Sequence, residues 1–271
     1  MLILMARKLS KRKQTSKEEY PWKEKDKLES GVFDKKTLIT LSKFFNHRII
    51  SELLHIISTG KEADVYLAKS GSAIEKPFVA VKIFRVKTSS FHKRVEYMYG
   101  DPRVGRLNKK MSYIVNIWCK KEFGNLKLAK ELGVSVPQPI KAVNNILSME
   151  FIGDDEGLPA LMLKDVRLKE PKKTLLKILN NVLILYNGKL VHSDLSEYNI
   201  LINGENEDVY FIDFGQAVIE GHPKFNELLS RDISVIINYF SRKYRIDLDI
   251  EKIEEAIRNN NSKEIEAQLS D

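Results

Sequence analysis

The spacing of apolar positions divides the chain into a first half of short strands with two helices and a second half that is mainly helical. From Asp34, a residue type that caps helix N-termini, Leu38, Leu41 and Phe45 recur at helical intervals and predict a helix. Three strand-like runs follow at 54–58, 64–68 and 78–84; the second alternates and the third is almost wholly apolar, which predicts an antiparallel meander. Residues 86–111 are polar, basic and aromatic, hold Gly100, Pro102 and Gly105, and show no period. Irregular chain of that length inside a domain is usually functional or disordered. Helical spacing returns at Tyr113 and runs through Ile117, Trp118 and Phe123 to Leu132, where Gly133 supplies a stop signal ahead of Pro137 and Pro139. A strand pair at 140–142 and 146–151 leads into Gly153-Asp154-Asp155-Glu156-Gly157, which reads as a linker. Beyond it the pattern predicts an amphipathic helix over 172–187, strands at 200–202 and 209–212, and helices near 225–241 and 250–268. The expected class is α+β, with a first lobe over 34–152, a second over 153–271, and a basic arm over 1–33 ahead of both.

A chain of 271 residues has room for one compact catalytic unit of two lobes, and its 43% hydrophobic content is ordinary for a folded protein. The formal net charge of +8 suits a polyanionic partner such as RNA, although solvated surface accounts for it equally well. The arm carries Arg7, Lys8, Lys11, Arg12, Lys13 and Lys17 with little apolar content, as either a solvated tail or a nucleic-acid contact would. Cys119 is the only cysteine, which excludes an intrachain disulfide and a cysteine-cluster metal site and fits a reducing compartment. The opening Met-Leu-Ile-Leu-Met is too short for a signal peptide and is followed, not preceded, by basic residues. No apolar run has the length of a membrane span, so the expected setting is cytoplasmic and away from membranes.

Four segments carry residues suited to moving a phosphoryl group, which requires a held triphosphate, a cation on its oxygens, and an acceptor hydroxyl beside a carboxylate. Val79-Ala80-Val81-Lys82 resembles the strand whose terminal lysine holds the α- and β-phosphates in protein kinases; alone, such a lysine is usually a strand-end surface charge. His192-Ser193-Asp194-Leu195-Ser196-Glu197-Tyr198-Asn199 matches the kinase catalytic loop. There Asp194 would orient the acceptor hydroxyl, Asn199 would bind Mg²⁺, and His192 would pack rather than act as a base. Asp213-Phe214-Gly215 comes nineteen residues after Asp194, so a hairpin between them would bring Asn199 and Asp213 to one side of a cleft. Two hard oxygen ligands at one edge are what Mg²⁺ or Mn²⁺ requires, with phosphate and water completing the octahedron. Lys82 also needs an anion to position it. Glu122 is the candidate, since at helical spacing it shares a face with Trp118 and Asn125, and Glu131 is its competitor.

No Gly-x-Gly-x-x-Gly loop precedes the lysine strand. The first turn reads Ser58-Thr59-Gly60-Lys61-Glu62-Ala63, and together with His192 to Asn199 it resembles the RIO family of atypical serine kinases, first type, over about residues 34–241. Only 58 residues follow Asp213, with no Ala-Pro-Glu motif and too little chain for the usual peptide-docking helices, a truncation that this family shares. The resemblance implies a bilobal protein-kinase-like fold with a truncated helical second lobe. It implies ATP as phosphoryl donor, phosphates at Ser58 and Lys61, the Lys82–Glu122 ion pair, Met149 as gatekeeper, and adenine on backbone groups of Glu150 and Ile152. It implies that 86–111 is a flexible loop, with Ser89, Ser90 and Ser112 as candidate autophosphorylation sites, and that serines of other proteins are acceptors. It further implies that Asp213 can itself be transiently phosphorylated, as in an ATPase switch, because a metal-neutralised carboxylate beside the γ-phosphate is a competent nucleophile. The family's setting is maturation of the small ribosomal subunit, whose RNA would suit the basic arm.

Two other readings compete. A small-molecule phosphotransferase of the aminoglycoside or choline type shares the His-x-Asp, Asn and Asp residues, but not the Ser58 to Ala63 loop or the absence of an acidic helical insert. A non-catalytic RNA-binding assembly factor would explain the charge and leave the ordered Lys82, Asp194, Asn199 and Asp213 without a purpose.

Overall fold

The computed structural model describes residues 33–86, 96–104 and 110–270; the basic arm up to residue 32, together with Ser89 and Ser90, lies outside them. Helix α1 (Lys35–Asn46) starts where Asp34 caps it, its carboxylate accepting the amides of Lys36 at 2.8 Å and Thr37 at 3.0 Å. Strands β1 (Ile50–Thr59), β2 (Ala63–Ser70) and β3 (Phe78–Phe84) form the expected meander, and β4 (Pro139–Val143) with β5 (Ile146–Glu150) completes a five-stranded antiparallel sheet in the order β1-β2-β3-β5-β4. The first strand begins four residues earlier than its apolar run suggests, because the ladder to β2 takes in the polar Ser51 and Glu52 as edge positions.

Strand β3 shows how the sheet serves the site. Side chains alternate across a strand. Val79, Val81 and Ile83 therefore face one way, into a cluster with Leu41, Phe44 and Phe45 of α1. Ala80, Lys82 and Phe84 face the other way, toward the larger core that α3 (Met111–Glu131) enters with Val115, Trp118 and Leu126. An apolar run buried on both faces thus delivers one lysine to the inner side.

The stretch 86–111 is not wholly irregular. It contains a short helix, α2 (Glu96–Tyr99), followed by Asp101, whose carboxylate is fully buried and bound by Arg103. Four residues are too few to leave a readable period.

Past β5, the carbonyl of Ile152 accepts the amide of Ala160 at 3.0 Å, and the chain enters β6 (Leu161–Met162). Helix α4 (Pro171–Asn187) opens with proline at its first position. The residue that anchors the chain entering it is distant in sequence: the Glu207 carboxylate accepts from the amides of Lys169 and Glu170, just ahead of the helix, and from the Thr174 hydroxyl in its first turn. Strand β7 (Leu190–Val191) precedes the catalytic-type loop, and β8 (Ile200–Asn203) and β9 (Asp208–Phe211) form the hairpin. Strand β10 (Val218–Ile219) pairs back on β7. Helix α5 (Phe225–Tyr244) is buried through Leu228, Leu229, Ile233, Ile236 and Ile237. The helix expected over 250–268 is in fact two, α6 (Ile250–Arg258) and α7 (Ser262–Ser270), broken at Asn260, which adopts φ +53°. Ile253, Ile257, Ile265 and Leu269 keep helical spacing across the break, so periodicity alone hides it. Among the described residues no helix is long and apolar enough to cross a membrane.

Candidate active site

A cleft of about 490 Å³ opens between the five-stranded sheet and the β8–β9 hairpin. Ser58, Lys61, Lys82, Glu122, Met149, Glu150, Ile152, Asn199 and Asp213 all line it, and Asp194 lies against it through Asn199, whose side-chain amide donates to the Asp194 carbonyl at 2.7 Å. The residues picked out along the sequence are therefore brought together, with Ser58 in the last turn of β1 opposite Val65 rather than in the loop itself.

The Lys82 ammonium lies 2.7 and 2.9 Å from the two oxygens of Glu122 and 3.0 Å from Asp213 Oδ1. Glu122 has no exposed side-chain surface and Lys82 only 10%. Burial by itself would neutralise the lysine, but the Asp213 and Glu122 carboxylates outweigh it and hold the ammonium above its ordinary pKa. Glu131 is solvent-exposed and faces Lys127 one turn away, so it takes no part. Asp213 keeps 36% of its side chain exposed and adopts φ +63°, and Ser193 beside Asp194 adopts φ +67°. Left-handed backbone costs a non-glycine residue about 1–2 kcal/mol, so both turns need external bracing.

The bracing at the first turn is Asp232 of α5, a residue the sequence reading passed over. Its oxygens accept the amides of Ser193 at 2.7 Å and Leu195 at 3.1 Å, and burial pushes its carboxyl up to about 7 against those two favourable bonds. An aspartate inside the apolar stripe of α5 was the available signal, since a polar residue at a core position needs a reason. Asp194 Oδ2 accepts from the Gln216 side chain at 2.7 Å, which orients it. At the second turn, Lys121 and Asn125 of α3 donate to the carbonyls of 214–217. A Cβ on Gly215 would come within 2.7 Å of the Trp118 indole nitrogen, so only glycine lets this turn approach the helix.

His192 is buried between Phe211 and Phe214, with its rings edge-on to both. Nε2 donates to the Ile212 carbonyl at 3.0 Å while Nδ1 accepts the Asp194 amide at 3.3 Å, which fixes a neutral tautomer. Burial pushes its pKa down to about 4, more than the Ile212 bond can offset. Below about pH 6.5 the unfolded chain takes up this proton and the folded one does not, so stability falls as pH drops toward 4, by about 3 kcal/mol in all. Denaturant titrations at about pH 7 and about pH 4.5 check this: His192→Gln should lose about 2–3 kcal/mol less between them than wild type, and an equal loss would contradict the assignment.

For a divalent cation the donors fit. Asn199 and Asp213 sit at one edge because the hairpin pairs Ile200 with Phe211, and the Asn199 carbonyl accepts the Ile212 amide at 3.0 Å. With the Asn199 amide nitrogen committed to Asp194, its Oδ1 is the atom left to ligate. Among the described residues no group of three His, Cys, Asp or Glu forms a metal cage, whereas Mg²⁺ is commonly held by one or two protein oxygens plus phosphates. A purine fits as well: Ile152 is buried, and its amide has no protein acceptor among the described residues, an arrangement that calls for a partner from the cleft.

Comparison with known proteins identifies the family. The RIO domain family matches residues 64–253. The chain is 40% identical over 222 residues to the RIO-type serine/threonine-protein kinase Rio1 of Methanocaldococcus jannaschii, covering 82% of this chain and 73% of that one. It is 40% identical to the Thermoplasma acidophilum protein of the same name, covering 72% and 98%. It is 34% identical to human serine/threonine-protein kinase RIO1, covering 85% of this chain but 41% of the human one. Among solved structures, the Rio2 kinase of Chaetomium thermophilum, in an ADP/Mg²⁺-phosphoaspartate complex, aligns with a TM-score of 0.64 at 21% identity, covering 86% of this chain and 69% of that one, a likeness of fold.

Proposed function

The chain belongs to the RIO family and is a serine/threonine protein kinase, and from that premise we propose that it transfers the γ-phosphoryl group of ATP to serine hydroxyls, its own included, in an Mg²⁺-dependent reaction. The observation that carries this reading is the meeting of Lys82, Glu122 and Asp213 within hydrogen-bond distance in one cleft beside Asn199. Backbone groups of Glu150 and Ile152 would hold adenine with Met149 as gatekeeper, while Ser58 and Lys61 would meet the phosphates. Asn199 and Asp213 would hold the metal, which would supply neutralisation of charge on the phosphate oxygens. Lys82, kept charged by its two carboxylates, stabilises the developing negative charge on the transferring group. Asp194, aimed by Gln216, accepts the hydroxyl proton.

Residues 34–152 and 153–271 act as the two lobes around the nucleotide, and we take the protein to work in the cytoplasm. The setting we propose, on the resemblance of the two motifs, is maturation of the small ribosomal subunit, where a net charge of +8 suits an RNA-rich partner. A second reading, in which Asp213 takes the phosphoryl group itself, draws support from its partly exposed carboxylate and from the phosphoaspartate in the Chaetomium Rio2 complex. Incubating purified protein with labelled ATP and Mg²⁺ tests both. Label on serine that resists acid and hydroxylamine, lost in Asp213→Ala, is the expected result; label cleaved by hydroxylamine selects the second reading. No turnover by wild type, or full turnover by Asp213→Ala, would overturn the proposal.

A further inference from the structure

Lys121 is a charged side chain that the mechanism above does not use, yet only 3% of it is exposed. It precedes Glu122, so one helix turn presents an anion to Lys82 and a cation to the chain that follows Asp213. Its ammonium donates to the carbonyls of Gly215, at 3.0 Å, and Ala217, and lies 5.7 Å from the Trp118 ring centre. Asn125, one turn further along α3, donates to the carbonyls of Phe214 at 2.9 Å and Ala217 at 3.1 Å. Behind the lysine lies Asp101, with Oδ2 3.9 Å away and its carboxylate held by Arg103. The segment carrying Asp101 is itself seated tightly, since a Cβ on Gly100 would come within 2.4 Å of the His222 ring.

Burying a lysine is costly, and it pushes this one down to about 7 despite Asp101. Carbonyl oxygens alone could have been satisfied by backbone amides. A buried lysine side chain instead holds the turn whose left-handed residue, Asp213, carries the carboxylate of the site.

We propose that Lys121, with Asn125 beside it and Asp101 behind it, is a positioning residue: it fixes the turn 213–217 to α3, so that one rigid helix sets both the Lys82 ammonium and the Asp213 carboxylate. This rests on the reading of Asp213 as a metal ligand. It also gives the 96–104 segment a role in cis, since Asp101 supplies the charge that keeps Lys121 in place.

The test compares wild type, Lys121→Met and Asp101→Asn by turnover against Mg²⁺ concentration, by thermal unfolding, and by the unfolding shift given by ADP without metal. Methionine keeps the length and removes the charge. Lys121→Met should lower turnover or Mg²⁺ affinity by about 10-fold to 100-fold, the range for residues that orient metal ligands. Its unfolding temperature should fall, since the Gly215 and Ala217 carbonyls lose a donor, but its metal-free ADP shift should match wild type, whereas a purely structural lysine would lower the ADP shift and the Mg²⁺ affinity together. Asp101→Asn should move the Mg²⁺ requirement the same way by a smaller factor, and it decides the matter if Lys121→Met does not fold. Folded variants whose Mg²⁺ dependence and turnover equal wild type would overturn the inference. An inactive wild type would overturn the kinase reading beneath it instead.

Discussion

Asp194→Asn should abolish nearly all phosphoryl transfer while leaving the protein folded. The loss expected for removing a positioned base is about 10²–10⁴-fold in kcat, because the hydroxyl must then surrender its proton without an acceptor. The amide is nearly isosteric with the carboxylate, and the Gln216 side-chain amide can still donate to its oxygen. The loop is held at Ser193 and Leu195 by Asp232, not by the Asp194 side chain, so the backbone has no reason to move. ATP affinity should therefore stay near the wild-type value while kcat falls, a pattern that marks an interaction made in the transition state. Steady-state kinetics with thermal unfolding as a control checks this. Turnover within about tenfold of wild type would remove Asp194 from the role of base.

The second large effect concerns stability as well as activity. Glu122→Leu leaves the buried Lys82 ammonium with Asp213 as its remaining carboxylate partner in the cleft, and breaking a buried pair on one side costs about 3–5 kcal/mol. For a chain of this size that corresponds to a fall of roughly 10 °C in Tm. The double variant Lys82→Met with Glu122→Leu removes both charges and should recover most of that loss, since hydrophobic replacement of a buried pair is often neutral. Asp213 tolerates the change because it is partly solvated. Neither variant should transfer phosphate. Calorimetry on both distinguishes the outcomes: a double variant no more stable than Glu122→Leu alone would mean that the pair is not the source of the cost.

The parts of this molecule that were legible in the sequence are those whose signal is local. Asp34 as a cap, the alternation that turns Lys82 inward, and the Asp194 to Asn199 interval each depend on neighbours a few residues away. Choosing Glu122 over Glu131 was another matter, because both lie on α3 and only the approach of β3 separates a fully buried carboxylate from an exposed one. Asp232, Lys121 and Asp101 were missed for the same reason. Each acquires its role from contacts across 39, 94 and 20 positions of chain, and of the three only Asp232, a carboxylate within the apolar stripe of α5, leaves a local trace. Short elements such as β6, β7 and β10 are two residues long and exist because a partner strand is present, so no period could reveal them.

The hairpin that joins the two proposed metal ligands has one further consequence. Its register is locked at both ends, by Ile200 against Phe211 and by the Glu207 carboxylate on the first turn of α4. Between those anchors, Gly204, Glu205 and Asn206 are exposed. Length can therefore drift at Gly204 and Glu205 over evolutionary time while the separation of Asn199 and Asp213 in space stays constant. The same two residues offer the natural splice point for a reporter peptide, on the side of the hairpin away from the nucleotide.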